Sequence, residues 1–196
     1  MLPDELKVLV LEGGYNEEHE VSLSTGNEVK KSLQNLDIFH ETLIVDPKNF
    51  KRDISKFNKN YLCFNALHGT FGEDGSIQRI LDTNGYRYTH SDAKSSFIGF
   101  NKNLTKKEIE DTPITFPNYI NTNYDDLNAN LLKEYLTIMG AFIIKPNCSG
   151  SSFGIKIFKN NKDIEIFIEN YKKNKEIYKN HNKILVEKFI QGRELT

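Results

Sequence analysis

The sequence predicts an α/β chain in two units: a small parallel sheet flanked by helices, then strands and helices built around a hairpin. Three observations carry this. Short apolar runs at Val8–Leu11, Ile38–Val45 and Tyr61–Leu67 alternate with stretches of helical spacing. The first and third runs end in glycine-rich polar loops, and ligands sit at the carboxyl ends of strands in open α/β sheets. Finally, Ala141–Phe158 reads as a strand, a small polar loop and a second strand.

The elements follow in order. Val8–Leu11 is a buried, parallel-type strand ending in Gly13-Gly14. The acidic loop Glu17-Glu18-His19-Glu20 precedes a helix marked by Val21, Val29, Leu33 and Leu36, with Gly26 inside it. Carboxylates at a helix start gain from its dipole, and one facing a cleft would bind a cation such as a substrate ammonium. Ile38–Val45 and Tyr61–Leu67 are the next strands. The latter runs into His68-Gly69-Thr70-Phe71-Gly72-Glu73-Asp74-Gly75 and a short helix over Ser76–Leu81. Asn84-Gly85 marks a turn, and Tyr88–Ser91 a short extended piece. Asp92 caps a helix over Ala93–Phe100, and another runs from Lys102 to about Glu110. Pro113 and Pro117 bracket a short strand. Tyr124–Met139 and Ile164–Tyr178 have helical spacing, and Lys183–Phe189 closes as a strand.

The hairpin is the most informative stretch. Lys145-Pro146 ends its first strand, and Asn147-Cys148-Ser149-Gly150-Ser151-Ser152 forms the loop. Gly150 and Gly154 permit positive φ and close approach of a ligand. Successive N–H groups and serine hydroxyls can form an anion-binding concavity with Lys145 at its mouth, for which a nucleotide triphosphate is the natural candidate; the alternative is an ordinary hairpin with a flexible tip.

Composition bounds the rest. The 196 residues are 38% hydrophobic with a formal net charge of −1, so no global basic field calls for nucleic acid. Two cysteines make neither a disulfide framework nor a zinc pattern. No apolar run approaches a membrane span, no secretory signal is read at the N-terminus, and a cytoplasmic setting is expected.

Five stretches in order resemble the D-alanine–D-alanine ligases of the ATP-grasp superfamily. They are EGGYNEEHEVSLSTG, NALHGTFGEDGSIQ, the lysine of FNKNLTK, KPNCSGSSFGI and VEKFIQGRELT. The resemblance implies a Rossmann-like pre-ATP-grasp domain on the substrate side at residues 1–92. The first α+β subdomain of an ATP-grasp fold is expected at 93–196. It implies ATP-dependent joining of two D-alanines through an acyl phosphate, for peptidoglycan synthesis. Residue by residue, Glu18 matches the glutamate that holds the first substrate's ammonium, and His68 the histidine beside that substrate. Lys102 and Lys145 match the lysines on ATP phosphates. Ser151 lies in the loop over the phosphates and the acyl phosphate, with Ser152 next to it. Glu187, Lys188 and the Ile190 backbone match the adenine-reading segment, and Glu194 the carboxylate on the ribose hydroxyls. Mg²⁺ (or Mn²⁺) is implied, with ligands in a C-terminal portion beyond Thr196. A homodimer is implied for the full-length protein, with no nucleic-acid or membrane partner. The chain alone is expected to be inactive and to bind ATP poorly.

The chain departs from the family's pattern at Asn16, Arg79, His90, Asn101 and the variable Ser149. Two other readings stand beside the first. One is an ATP-grasp carboxylate–amine ligase for a different amino acid. The other is a non-catalytic half-ligase that binds nucleotide or a partner subunit.

Overall fold

In a computed structural model, the structure describes residues 6–150, 152–179 and 181–193. The chain divides into two compact units, Met1–Phe100 and Asn101–Thr196. The helix Ala93–Phe100, expected to open the second domain, therefore lies in the first unit.

The first unit runs β1 (Lys7–Gly13), α1 (His19–Asn35), β2 (Phe39–Val45), α2 (Phe50–Ile54), β3 (Tyr61–Asn65), α3 (Ser76–Asn84), β4 (Arg87–Tyr88) and α4 (Ala93–Phe100). Among the described residues its four strands are all parallel, in the order β2-β1-β3-β4. β1 is fully buried from Val8 to Gly13, which is why it reads as an unbroken apolar run. One core layer packs Leu9, Leu11, Phe50, Ile54, Cys63, Ile77 and Leu81; the other packs Val8, Val10 and Ala66 with Val29 and Leu33 of α1. The connection from β1 leads to β2 on one side, and β3 lies on the other. The chain's order in the sheet thus reverses at β1, and the loops after β1 and β3 meet there.

The second unit runs α5 (Lys102–Glu108), β5 (Tyr119–Asn123), a 3₁₀ turn at Tyr124–Asp126, α6 (Ala129–Met139), β6 (Phe142–Pro146), β7 (Lys156–Phe158), α7 (Asn161–Glu169), α8 (Tyr171–Ile177) and β8 (Lys183–Lys188). All its strand pairs are antiparallel, in the order β5-β8-β6-β7. Alternation sends Phe142, Ile144, Phe158, Ile184 and Val186 into a core with α6 and α7. At its centre three tyrosine rings stack. Tyr124 lies 4.3 Å from Tyr178 and 5.0 Å from Tyr171, at 16° and 15°. Burial raises the phenol pKa of all three.

Three expected elements differ. The strand between Pro113 and Pro117 does not form; pairing begins at Tyr119, beyond both prolines. The helix expected over Tyr124–Met139 begins at Ala129, where Asn128 accepts a hydrogen bond from the Leu131 N–H at 3.1 Å as a cap. Tyr124 and Leu127, expected on its apolar face, are core residues of the preceding turn. The helix expected over Ile164–Tyr178 breaks at Asn170, which ends α7 and starts α8.

Candidate functional site

In the first unit, the loop after β1 is tied to the loop after β3. Ser22 Oγ accepts from the Gly13 N–H at 2.8 Å and donates to the Ala66 carbonyl at 2.9 Å. Asn16 Nδ2 donates to the His68 carbonyl at 2.7 Å and the Thr70 carbonyl at 3.0 Å, while its Oδ1 accepts from the Glu18 N–H at 2.9 Å. Asn16, noted in the sequence as a departure, is a second side chain that spans the two loops. Replacing it with Ala removes all three bonds and is expected to cost about 1–2 kcal/mol. A lower denaturant midpoint and faster amide exchange at Gly69–Thr70 check this.

Glu18 precedes α1 and is buried, but its carboxylate makes no cap bond. It lies instead against Gly69, where an added Cβ would fall 2.5 Å from Glu18 Oε2. Gly69 also holds φ +70, so this close approach needs glycine on both counts. His68 stands beside it, with Nε2 2.9 Å from Thr25 Oγ1 and Nδ1 3.5 Å from Glu73 Oε1. Glu18 and His68 thus both lie at the junction of the two loops, Glu18 against Gly69 and the His68 ring against Thr25 and Glu73. His68, Glu73, Gln78 and His90 line a cavity of about 460 Å³. Gln78 Nε2 donates to the Gly72 carbonyl at 3.0 Å, which fixes the amide's orientation. Among the described residues its Oε1 is buried without a hydrogen-bond partner, and so suits a ligand that brings a donor. His90 holds φ +86, in the left-handed region that favours glycine.

In the second unit, the sheet face opposite the core carries the charged cluster. The register sets Ile143 opposite Glu187 and Lys145 opposite Leu185, so alternation puts all four on that face. Lys145 Nζ is ion-paired with Glu187 Oε2, and Lys106 Nζ with Glu187 Oε1 at 2.7 Å. Burial works to raise the Glu187 pKa, but the two lysines outweigh it and leave the carboxyl below its ordinary value. Lys106 also lies over the Phe116 and Tyr119 rings, 4.5 and 5.0 Å from their centroids.

Lys102 opens α5. Its Nζ donates to the Ser149 carbonyl at 2.7 Å and the Asn147 carbonyl at 3.5 Å. Burial, then the nearby Lys145 charge, lowers its pKa. Asn147 fastens the loop to the helix. Its Oδ1 accepts from the Asn103 N–H at 2.9 Å, and its Nδ2 donates to Asn101 Oδ1 at 2.9 Å. Asn101 Oδ1 caps α5 by accepting from the Leu104 N–H at 3.0 Å.

Lys102, Lys145 and Glu187 therefore gather around the Asn147–Gly154 loop. Lys188 and Ile190 are exposed at and just beyond the end of β8. Ser152 is exposed at φ +57, and Gly154 holds φ +70. The Gly154 carbonyl accepts from the Tyr178 hydroxyl, which ties the loop's end to the aromatic stack. Ser151 and Glu194 lie outside the described residues. Sequence reasoning missed Lys106, although its i, i+4 spacing from Lys102 on one helix was a signal. It also missed Asn147 and Ser22, whose partners are distant in sequence. Among the described residues no three His, Cys, Asp or Glu side chains gather as a metal site.

A family model described as "D-ala D-ala ligase C-terminus" matches residues 110–196. The D-alanine–D-alanine ligase of Pelagibacter ubique is 37% identical over 191 residues, covering 96% of this chain and 59% of the relative. That of Thermotoga petrophila is 34% identical, covering 97% and 58%. The chain thus spans about three-fifths of the length of the curated relatives it matches. The solved D-alanine–D-alanine ligase of Bacillus anthracis superposes with a TM-score of 0.77 at 29% identity, over 95% of this chain and 58% of that one. Its complex with ATP gives 0.74 at 26% identity, over 95% and 60%. The parallel sheet followed by the antiparallel sheet is the arrangement expected for ligases of the ATP-grasp fold.

Proposed function

We propose, from the premise that this chain corresponds in sequence and fold to part of a D-alanine–D-alanine ligase, that it supplies the first-substrate and nucleotide-binding elements of that reaction. The whole protein would join two D-alanines with ATP through an acyl phosphate. The observation that carries the reading is the gathering of Lys102 and Lys145 at one polar loop, with Glu187 between Lys145 and Lys106.

The division of labour follows from chemistry. Phosphoryl transfer asks for positioning and neutralised charge, which fixed ammonium groups and backbone N–H groups provide. Lys102 and Lys145 would meet the phosphates of ATP. The Ser151-Ser152 segment would lie over them, and Glu187, Lys188, the Ile190 backbone and Glu194 would hold the nucleoside. Glu18 would take the ammonium of the first D-alanine, because a desolvated ammonium without a partner is costly. His68 would stand beside it. Mg²⁺ would neutralise further charge on the phosphates, and the described residues offer it no set of ligands. The same reading makes the whole protein a cytoplasmic homodimer.

The test is ADP binding by calorimetry. Lys145→Ala removes a charge-assisted hydrogen bond and is expected to weaken ADP by about ten- to hundredfold. Unchanged affinity would overturn the assignment.

A further inference from the structure

We propose that Lys106 is a positioning residue for nucleotide binding: by occupying one oxygen of Glu187 it leaves Lys145 the other, and so sets how far the Lys145 ammonium extends toward the Asn147–Gly154 loop. The consequence for nucleotide rests on the reading above; the geometry does not.

The three partners are unequally enclosed. The side chains of Lys106, Glu187 and Lys145 are 10%, 5% and 21% exposed. Lys106 is held twice over, by the ion pair and by the faces of Phe116 and Tyr119. So enclosed an ammonium serves the carboxylate before it. Each Glu187 oxygen then serves a different lysine, and the most exposed of the three is Lys145. With Lys106 gone, both oxygens fall to Lys145. Its ammonium would be drawn onto the carboxylate and away from the loop. With Lys106 present, Lys145 shares Glu187 and remains available to an anion.

Acylation by N-hydroxysuccinimidyl acetate under native conditions, read lysine by lysine in a mass spectrometer, tests this without any ligand. In Lys106→Met, Lys145 is expected to react several-fold more slowly than in the unsubstituted chain, because its ammonium is bound more tightly. A merely structural role would loosen the face and speed the reaction. Faster or unchanged labelling of Lys145 overturns the proposal. Lys106→Leu likewise leaves Glu187 Oε1 without a donor, predicts the same direction, and serves if the methionine variant fails to fold. In a Glu187→Gln background, adding Lys106→Met should leave the Lys145 rate where Glu187→Gln alone put it; a further change would show that Lys106 acts by another route. ADP affinity should fall about tenfold in Lys106→Met, as for other supporting partners of a binding group. Equal ADP affinity in the two chains overturns the proposal. Slower Lys145 labelling with no ADP bound by either chain supports the positioning role and overturns the nucleotide reading instead.

Discussion

Glu187→Gln is expected to destabilise the second unit by about 3 kcal/mol and lower its Tm by more than about 10 °C. The substitution keeps shape and removes charge. It leaves Lys106, almost wholly enclosed, and Lys145 facing each other across a neutral amide. Breaking a buried pair on one side costs more than the pair contributes, because an uncompensated charge stays behind. The variant's fold should also be rescued by inorganic phosphate, which stands in for the lost carboxylate between Lys106 and Lys145. Thermal unfolding with and without phosphate reads both effects.

The same carboxylate gives the unsubstituted protein an acid limb. Its folded pKa lies below the ordinary value of 4.5, so the group stabilises the fold at pH above that value. That contribution is lost as pH falls from about 4.5 through the lowered folded value. Glu187→Gln should lack this part of the acid sensitivity, so the two stability curves converge as pH drops.

Gly26→Ala is expected to destabilise the first unit by about 3 kcal/mol, against the usual gain of about 1 kcal/mol for this change inside a helix. Gly26 sits on the buried side of α1, where an added Cβ would overlap Glu12 Oε2 and lie 2.8 Å from Glu12 Cδ. Glu12 cannot easily yield, being buried in β1 and paired with Lys30 at 2.7 Å. Adding Glu12→Ala to Gly26→Ala should recover much of the loss, because the two sites share one space. Denaturant midpoints of the two single variants and the double variant check the sign and the coupling.

These two positions show what the sequence does and does not make legible. Runs such as Val8–Leu11 declare themselves, since a strand buried on both faces has nothing polar to interrupt it. The helix over Ser76 and the hairpin at Lys145 were legible from spacing and from their glycines. The break at Asn170 was not, because apolar residues keep helical spacing across it while the backbone turns. Tyr124 and Leu127 misled for a related reason: a 3₁₀ turn buries residues at intervals that a helix also uses. At the site, Lys102, Lys145, Glu18 and His68 are given their roles by resemblance alone, since nothing in their local spacing assigns one, and those roles are the ones proposed above. The pairing of Lys106 with Glu187 was invisible, because a contact between distant stretches of chain leaves no local pattern. Gly26 looks like a weakness in its helix by sequence alone, because its reason, Glu12 packed against it, lies on a separate strand.

The tyrosine stack gives the second unit an optical signal of its own. The chain has no tryptophan, so its near-ultraviolet dichroism comes chiefly from coupled phenol rings. Tyr178, one member of that stack, is bonded to the carbonyl of Gly154 at the end of the polar loop. A ligand that reshapes this loop should therefore change the ellipticity of a chromophore it never touches, and a titration can be followed without a dye or a label.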